Sequence, residues 1–384
     1  MDKGIDANIR KMRKLKSFTV FLTTIAMLLF SSNAQSCSLY KISMNGKTML
    51  GSNYDDYYLT TRIWFENGKK AGDCGAVFTG GRIDAENNIV PHSGMNESGL
   101  AFIQAAVQHS ILNAGANKKA IGNTTAYLKD ILHSCRTVEE VKNYISRYDH
   151  GVFTAVFLYT DKSGKYLVVE PDTMIIGNDA KYVLSNFCPS KTAEPDKLKI
   201  VRYRNGIEFL KNKAGTTIGF CTALSDTMHV CRKKIGDGTL LTSIWDVREG
   251  ITYLYFYHDY KHLVQFNLKD ELAKGDHAVE IPALFPPNAE YERLLNFRIP
   301  QNTPAIQLFF IFCAGLFVFS SLFFLVVFFR NCKMRTRVES RYNKIRLLLS
   351  MACVLLLCYI FVLATNELIF YYPAPYRDPA CSLL

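Results

Sequence analysis

The chain has 384 residues, enough for one large domain or two small ones, and 49% of them are hydrophobic. Its formal net charge of +11 is concentrated in two places: residues 1–16 carry six basic and two acidic residues, and residues 330–346 carry seven basic and one acidic. Both clusters flank apolar runs and are signals of membrane topology, so the nearly neutral remainder excludes a basic face for nucleic acid.

The first 36 residues have the parts of a secretory signal peptide. Basic residues precede an apolar run at 18–30, and Ala34-Gln35-Ser36 places small residues at positions −3 and −1 of a cleavage site. We therefore predict that cleavage leaves Cys37 as the first residue of the mature protein. Two alternatives stay open, namely an uncleaved signal anchor and a lipoprotein with lipid on Cys37. The apolar run is short for a membrane span, and a lipoprotein signal normally has a Leu-like residue where Ala34 stands.

Residues 37–300 form one compositionally even region in which strand-like and helix-like runs are mixed. The pattern predicts strands at Phe153–Tyr159, Tyr166–Glu170, Ile251–Tyr257 and Leu263–Leu268, and helices at Thr124–His133, Thr137–Tyr148 and Lys199–Leu210. Because no regular β–α–β alternation is present, the pattern favours an α+β fold over a doubly wound parallel sheet.

Two apolar runs follow this region, 305–329 and 347–365. A helix over the first could extend ~37 Å, which exceeds the ~30 Å of a hydrocarbon core, so we predict two transmembrane helices. The segment between them, 330–346, is basic and by the positive-inside rule is a cytoplasmic loop. The domain at 37–300 and the tail at 366–384 are therefore predicted on the outer, extracytoplasmic side of the membrane.

The start of the domain suggests a chemistry. Asn45-Gly46 is a strong two-residue hairpin signal. Counting back from that turn, Cys37 lies opposite Tyr54, and Asp55 is one residue farther along. A free α-amino group has a reference pKa of about 8, so the amine of Cys37 can accept the proton of its own thiol near neutral pH. We predict Cys37 as the nucleophile, its amine as the base, and Asp55 as the group that orients the amine.

The histidines, and the cysteines other than Cys37, form no recognisable cluster in the sequence. The histidines are scattered, and surface or core positions are favoured over a role as base for His92, His109, His133, His229 and His258. The spacing of the eleven cysteines follows no zinc pattern, and disulfide pairing cannot be deduced from it. We therefore predict neither a metal nor any other cofactor.

Several segments resemble, in the same order, motifs of one known family. They are Gly51-Ser52-Asn53-Tyr54-Asp55, Gly94-Met95-Asn96-Glu97-Ser98-Gly99-Leu100, Thr137-Val138-Glu139-Glu140-Val141, 164–170, Val183-Leu184-Ser185-Asn186 and 241–257. With a cysteine at a cleavage site, this ordered set resembles the linear-amide C–N hydrolases with an N-terminal nucleophile. That family includes choloylglycine (bile salt) hydrolase, penicillin V acylase and related acyltransferases. The resemblance covers roughly residues 37–270.

The resemblance implies a four-layer αββα sandwich, here followed by the two predicted transmembrane helices. It implies that Cys37 is the nucleophile, that Asp55 holds its amine, and that Asn186 donates its side-chain amide to the oxyanion. Asn53 and Asn96 are further candidates for support, Asn96 chiefly by shaping a turn.

The chain also departs from the family pattern. Ser52 stands where hydrolases of the family carry an arginine, and a second family arginine has no clear match, the nearest segment being Ala223-Leu224-Ser225-Asp226. The second oxyanion asparagine falls near Gln104, which could donate a hydrogen bond instead. Stabilisation of the thiolate must then come from other residues.

The sequence thus predicts a hydrolase of linear, non-peptide amide bonds that acts on a small amphipathic N-acyl amide through a thioester. Three alternatives stay open: an acyltransferase, an inactive binding or scaffold module at the membrane, and a subunit of a membrane complex whose two helices are the functional part. The last is disfavoured because 305–329 and 347–365 contain no Asp, Glu, Lys or Arg. The sequence leaves the oligomeric state open, a homo-oligomer included.

Overall fold

The computed structural model of the chain describes residues 37–55, 61–81, 88–107, 118–230, 238–295, 304–330 and 337–365. The predicted signal peptide, the tail at 366–384 and part of the basic loop lie outside the described residues. Across the described ranges the chain forms strands β1 (Ser38–Met44), β2 (Lys47–Asp55), β3 (Arg62–Glu66), β4 (Ala76–Gly80), β5 (Ser93–Asn96), β6 (Ala101–Ala106), β7 (Ala155–Thr160), β8 (Tyr166–Val169), β9 (Met174–Gly177), β10 (Lys181–Ser185), β11 (Thr239–Asp246), β12 (Ile251–Phe256), β13 (Val264–Asn267) and β14 (His277–Glu280). The α-helices are α1 (Thr124–Ser134), α2 (Val138–Ile145), α3 (Val201–Asn212), α4 (Ile218–Met228), α5 (Leu268–Leu272), α6 (Ala289–Leu295), α7 (Pro304–Arg330) and α8 (Arg337–Thr365).

The strands form two antiparallel sheets. The first has the strand order β10-β1-β2-β11-β12-β13, and the second has the order β14-β3-β4-β5-β6-β7-β8-β9. Strands β1 and β2 of the first sheet contact β6 of the second. Helices α3 and α4 pack on the first sheet, and α1 and α2 pack on the second. The predicted α+β fold is confirmed, with two antiparallel sheets that carry helices on their other faces.

The second sheet is buried on both faces, because alternate residues of a strand point to opposite sides. On β7, Val156 and Leu158 belong to the core shared with the first sheet. Phe157 and Tyr159 belong to a separate core with α1 and α2. Nearly continuous apolar runs such as β7 are therefore typical of strands in a middle layer.

The first hairpin has the register that the sequence predicts. Asn45 and Gly46 have φ angles of 52° and 74°, as a tight two-residue hairpin turn requires. Met44 pairs with Lys47, and Ser38 pairs with Asn53. The position opposite Cys37 is therefore Tyr54.

The predicted helices and strands are present with ends that shift by a few residues, and three helices of the described chain, α4, α5 and α6, were not predicted. The predicted helix Thr137–Tyr148 is shorter, because α2 ends at Ile145. Among the helices that were not predicted, α4 covers the segment compared with the second family arginine. Its start is capped by Thr217, whose hydroxyl accepts a hydrogen bond from the Phe220 N–H.

Helices α7 and α8 are long and apolar. By length and composition they contain candidate membrane spans at Leu308–Arg330 and Tyr342–Phe361. The two helices contact each other, and the hydroxyls of Ser321 and Ser350 lie 2.9 Å apart between them. Helix α8 begins at Arg337, so much of the basic segment 330–346 is helical. Lysine and arginine are good helix formers, which explains this early start.

A glycine in β2 gives the first prediction. Gly51 lies opposite Tyr40, and a Cβ added to it would overlap the Tyr40 ring. That ring is held in place, because its hydroxyl donates to the Cys221 carbonyl at 3.0 Å and contacts the Ser225 hydroxyl at 2.9 Å. We expect Gly51→Ala to destabilise the fold by about 1–3 kcal/mol, as overpacking of a buried site usually does. The melting temperature should fall by about 2–4 °C per kcal/mol in thermal unfolding followed by circular dichroism.

Gly219→Ala is the matched control, because nothing lies within 4 Å of a Cβ at that helical position. It should keep or raise the melting temperature, since alanine is the better helix former. Equal melting temperatures for the two variants would contradict the prediction.

Candidate active site

Cys37 lies immediately before β1 and is buried, with 2% of its surface exposed. Three elements converge on it: the neighbouring strand β2, the end of β10 with helix α3, and the segment that leads into β5. Each of them brings polar side chains. The thiol is therefore enclosed in a polar site within an otherwise apolar core, where electrostatic interactions are stronger than in water.

The strand next to Cys37 supplies a buried carboxylate. Asp55 is 5% exposed, and its Oδ1 accepts a hydrogen bond of 2.6 Å from the Thr239 hydroxyl of β11. Two residues earlier, the Asn53 amide donates to the Ser225 carbonyl at 2.9 Å and accepts from the Thr242 hydroxyl at 2.8 Å. Asn53 thus ties β2 to α4 and β11, and it fixes the strand that presents Asp55.

On its other side Cys37 meets Asn186 and an arginine. The Cys37 carbonyl accepts hydrogen bonds from the Ser185 hydroxyl at 2.8 Å and from Arg202 Nε at 3.2 Å. Arg202 Nη2 donates to Asn186 Oδ1 at 2.6 Å. Because a guanidinium only donates, this bond fixes the orientation of the Asn186 amide and directs its nitrogen away from the arginine. That nitrogen donates to the Ala106 carbonyl at 2.7 Å, which engages one of its two hydrogens.

A histidine contacts the thiol from the second sheet. His92 Nε2 lies 3.7 Å from Cys37 Sγ, within hydrogen-bonding reach for sulfur. Its ring packs on Tyr54, the residue opposite Cys37, with the ring centroids 4.0 Å apart. His92 is 7% exposed, so the contact is shielded from bulk water.

The remaining two candidates serve the scaffold in this structure. The Asn96 amide donates to the carbonyls of Leu132 and Cys135 at the end of α1, on the helix side of the second sheet. Gln104 donates to the Pro91 carbonyl at 2.9 Å and so holds the segment that carries His92. Gln104 therefore belongs to the site indirectly, through the segment that carries His92. Asn96 contacts the end of α1 and does not contact Cys37 in the described bonds.

Ser52, which stands in place of a family arginine, belongs to a chain of buried hydroxyls between the sheets. Its Oγ lies 3.0 Å from Ser243 Oγ, which lies 3.3 Å from Ser93 Oγ in the second sheet. Ser93 Oγ lies 2.6 Å from Thr79 Oγ1, and Trp245 Nε1 donates to Ser243. This chain joins the two sheets directly beside His92.

Two other buried cysteines have thiol pKa values too high for a nucleophile. Burial raises the pKa of the Cys188 thiol to about 11 and that of Cys221 to about 12. Both are therefore neutral thiols at physiological pH and poorly reactive, since the thiolate is the nucleophilic form. Among the residues that the structure describes, no group of three or more His, Cys, Asp or Glu side chains is placed to hold a metal ion.

Arg202 was not among the residues predicted to form the site. His92 was predicted to be a surface or core histidine and not a base. Arg202 lies in a helix that was predicted, but its partner Cys37 is 165 residues away, and His92 is 55 residues from Cys37. The nearest local signal was the position of His92 directly before the Gly94–Leu100 motif. No periodicity relates residues that meet only when two sheets and a helix pack.

Comparison with solved structures finds similar folds. Two crystal structures of variants of conjugated bile acid hydrolase from Clostridium perfringens each match at 16% identity and a TM-score of 0.47, over 66% of this chain and 97% of theirs. Penicillin V acylase from Agrobacterium tumefaciens matches at 13% identity and a TM-score of 0.48, over 64% of this chain and 91% of its own. No family model and no curated protein matches the chain. The solved structures are of the kinds that the sequence resembles, and the similarity is one of fold.

Replacement of Arg202 tests how the site is held together. Arg202→Met removes the charged donor to two buried oxygens, so we expect the free energy of unfolding to fall by about 2–4 kcal/mol. Arg202→Lys should restore only part of this, because lysine lacks the planar fork that reaches both oxygens. Urea unfolding followed by tryptophan fluorescence measures the change, since Trp64 and Trp245 are both buried.

The matched control is Arg204→Met, an exposed position on the same helix. It should change stability by less than about 0.5 kcal/mol. If Arg202→Met is as stable as this control, the hydrogen bonds of Arg202 do not hold the site.

Proposed function

We propose that this chain is a membrane-anchored cysteine amidohydrolase that cleaves a linear, non-peptide C–N amide bond of an N-acyl substrate through a thioester acyl-enzyme. The observation that supports it most is the convergence at the head of β1. The thiol of Cys37 has a carboxylate, Asp55, one residue beyond its cross-strand position, and Arg202 bonds both to the Cys37 carbonyl and to the Asn186 amide that it orients. These are the groups that acyl transfer to sulfur requires.

The proposed reaction begins when signal-peptide removal leaves Cys37 with a free amine. The amine accepts the thiol proton, and the thiolate attacks the substrate carbonyl carbon, whose π electron pair moves to oxygen. Asn186 donates the second hydrogen of its amide to this oxyanion, and the positive charge of Arg202 lies behind Asn186. The C–N bond breaks as the ammonium of Cys37 returns the proton to the leaving nitrogen.

Water completes the cycle. The Cys37 amine takes a proton from water as the water oxygen attacks the thioester carbonyl carbon. The C–S bond then breaks to release the acid, and the ammonium gives its proton to the departing thiolate, which regenerates the thiol and the free amine. Asp55 favours the ammonium form of the amine in both steps through its negative charge. If a second amine attacks the thioester in place of water, the same site performs acyl transfer.

The proposed anchoring favours a substrate that partitions into membranes. Residues 296–303 connect α6 to α7, and a linker of that length spans at most ~30 Å even when fully extended. If α7 and α8 cross the bilayer, the domain stays close to the membrane surface. A small amphipathic N-acyl amide would be concentrated there. The basic residues between the helices favour a cytoplasmic loop, which puts the domain on the outer side.

One observation favours an inactive binding or scaffold module instead. Ser52 occupies the position of a family arginine and engages its hydroxyl with Ser243. Arg202 opposes this alternative, because it brings a guanidinium to Cys37 from another element. Turnover measurements decide between the two.

Substitution of the nucleophile tests the enzyme directly. Cys37→Ala should reduce amine release from N-acyl amides by at least about 10³-fold, because no thioester can form. Cys37→Ser should retain more activity than alanine but far less than cysteine, since a hydroxyl is the weaker nucleophile. The measurement is release of a fluorescent amine from a panel of acyl chain lengths, with the N-terminus of each sample established by mass.

Cys74→Ala is the control, because Cys74 is a buried cysteine whose Sγ contacts Ser98 and lies outside the site. It should behave as the unmodified protein does. Turnover by Cys37→Ala equal to this control would reject the mechanism, and so would a mature chain that begins elsewhere. A lipid-sized mass on Cys37 would also reject it. Addition of a second amine separates hydrolysis, which gives only free acid, from acyl transfer.

The proposed anchoring has its own test. The chain should resist extraction from membranes by alkaline carbonate, because two apolar helices bury their surfaces in lipid. In sealed vesicles with the extracytoplasmic face outward, protease should digest the domain at 37–295 and spare the basic segment between the helices. Recovery of the chain in the carbonate extract, or protection of the domain, would contradict the proposed topology.

A further inference from the structure

The contact between Cys37 and His92 brings a second base to the thiol. The 3.7 Å separation of Sγ and Nε2 joins residues from the two different sheets, and both side chains are almost fully buried. An imidazole has an unperturbed pKa of about 6.5, so its neutral form can accept a proton at physiological pH. A thiol–imidazole contact is the arrangement that activates cysteine in enzymes whose nucleophile is not the N-terminal residue.

His92 and the residue before it are held by contacts from three neighbouring strands. Its backbone N–H donates to the Thr79 carbonyl at 2.7 Å, and the preceding Pro91 carbonyl accepts from Gln104 at 2.9 Å. Tyr54 packs against the ring. These contacts come from β4, β6 and β2, so the imidazole is positioned before any substrate arrives. Preorganisation of this kind reduces the cost of bringing the base to the thiol.

The charges around the pair act in both directions. Arg202, bonded to the Cys37 carbonyl, favours the thiolate, whereas Asp55, on the strand next to Cys37, opposes it through its negative charge. The phenols of Tyr54 and Tyr260 also face this region, and burial raises the pKa of Tyr260, so its phenol is neutral. A thiolate would therefore depend on the positive charges of Arg202 and of the imidazolium for its stabilisation.

We infer that His92 is a catalytic residue: its Nε2 accepts the proton of Cys37, so that the nucleophile is activated by an imidazole as well as by its own amine. This inference rests on the proposed function for the steps that follow activation. The S–H bond breaks, its electron pair stays on sulfur, and the proton moves to Nε2 of the tautomer that carries its hydrogen on Nδ1. The thiolate forms the C–S bond, and the imidazolium returns the proton to the nitrogen that leaves.

A thiolate–imidazolium pair would also supply a positive charge next to the thiolate, which the two family arginines without a match in this sequence would otherwise provide. The sequence requires another source of thiolate stabilisation, because Ser52 replaces one arginine. An imidazolium formed on His92 would place a positive charge 3.7 Å from the sulfur. The thiol would then be reactive whether or not its amine is free.

The experiment measures the thiol itself and needs no amide substrate. The full-length protein is alkylated with iodoacetamide across pH 5–10, and modification of Cys37 is followed by peptide mass spectrometry. In the unmodified protein the inflection should lie below the reference thiol pKa of about 8.5. His92→Gln and His92→Phe should each raise it by at least about one pH unit, and the rate at pH 7 should then fall about tenfold.

His133→Gln is the matched control, because His133 is part-buried and bonds to Glu66 and the Cys74 carbonyl, away from Cys37. It should leave the inflection unchanged. Circular dichroism confirms that each variant is folded, and glutamine keeps a polar side chain if phenylalanine disrupts packing. An inflection in a folded His92 variant equal to that of the control would overturn the inference.

The outcomes separate this inference from the proposed function. A shifted inflection without turnover of any N-acyl amide would retain the thiol–imidazole pair and reject the amidohydrolase. Turnover that depends on Cys37, with an inflection that His92 does not influence, would retain the enzyme and assign the proton to the amine alone. The mass of the N-terminal peptide in each sample shows whether that amine is free.

Discussion

The face-to-face packing of the two antiparallel sheets is the constraint on which the rest of the site depends. Cys37 directly precedes β1 and Asp55 ends β2 of the first sheet, whereas His92 directly precedes β5, an interior strand of the second. The bond from Asn186 to the Ala106 carbonyl and the contact between thiol and imidazole both cross the interface. Close packing in protein interiors leaves little freedom for such layers to slide. Apolar burial between the sheets therefore fixes distances in a polar site that contributes few apolar contacts of its own.

The hydroxyls of Ser52, Ser243 and Ser93 and the guanidinium of Arg202 are bonded to neighbouring polar groups, which makes their burial tolerable. An unpaired buried polar group costs about 1–3 kcal/mol, so the hydroxyl chain through Ser52, Ser243 and Ser93 is favoured only because its members lie within bonding distance. The same reasoning applies to Arg202, whose guanidinium contacts two oxygens beside the thiol. Partly formed networks of this kind would be worse than an apolar core. The site therefore acts as a unit, in which the loss of one donor affects several neighbours.

Charge in the site is distributed over elements that are remote in the chain. The sequence resemblance leads one to expect an arginine at position 52, but a serine stands there. The guanidinium near Cys37 comes instead from Arg202 of α3. A positive charge near a thiolate can come from any element that reaches it, because the interaction depends on distance and burial and not on position in the sequence. The presence of Ser52 in β2 therefore does not leave Cys37 without a neighbouring positive charge, because α3 brings Arg202 to its carbonyl.

The sequence by itself determined the local geometry at Cys37. The Asn45-Gly46 turn set the register of β1 and β2, and the positions opposite and beside Cys37 followed from counting residues. It also predicted the α+β class and two long apolar helices, because hydrophobic periodicity and turn chemistry act over short stretches of chain. Only the tertiary structure decided which imidazole contacts the thiol of Cys37 and which guanidinium contacts its carbonyl. His92 and Arg202 lie 55 and 165 residues from Cys37, and stacking of layers, which no local pattern encodes, brings them together.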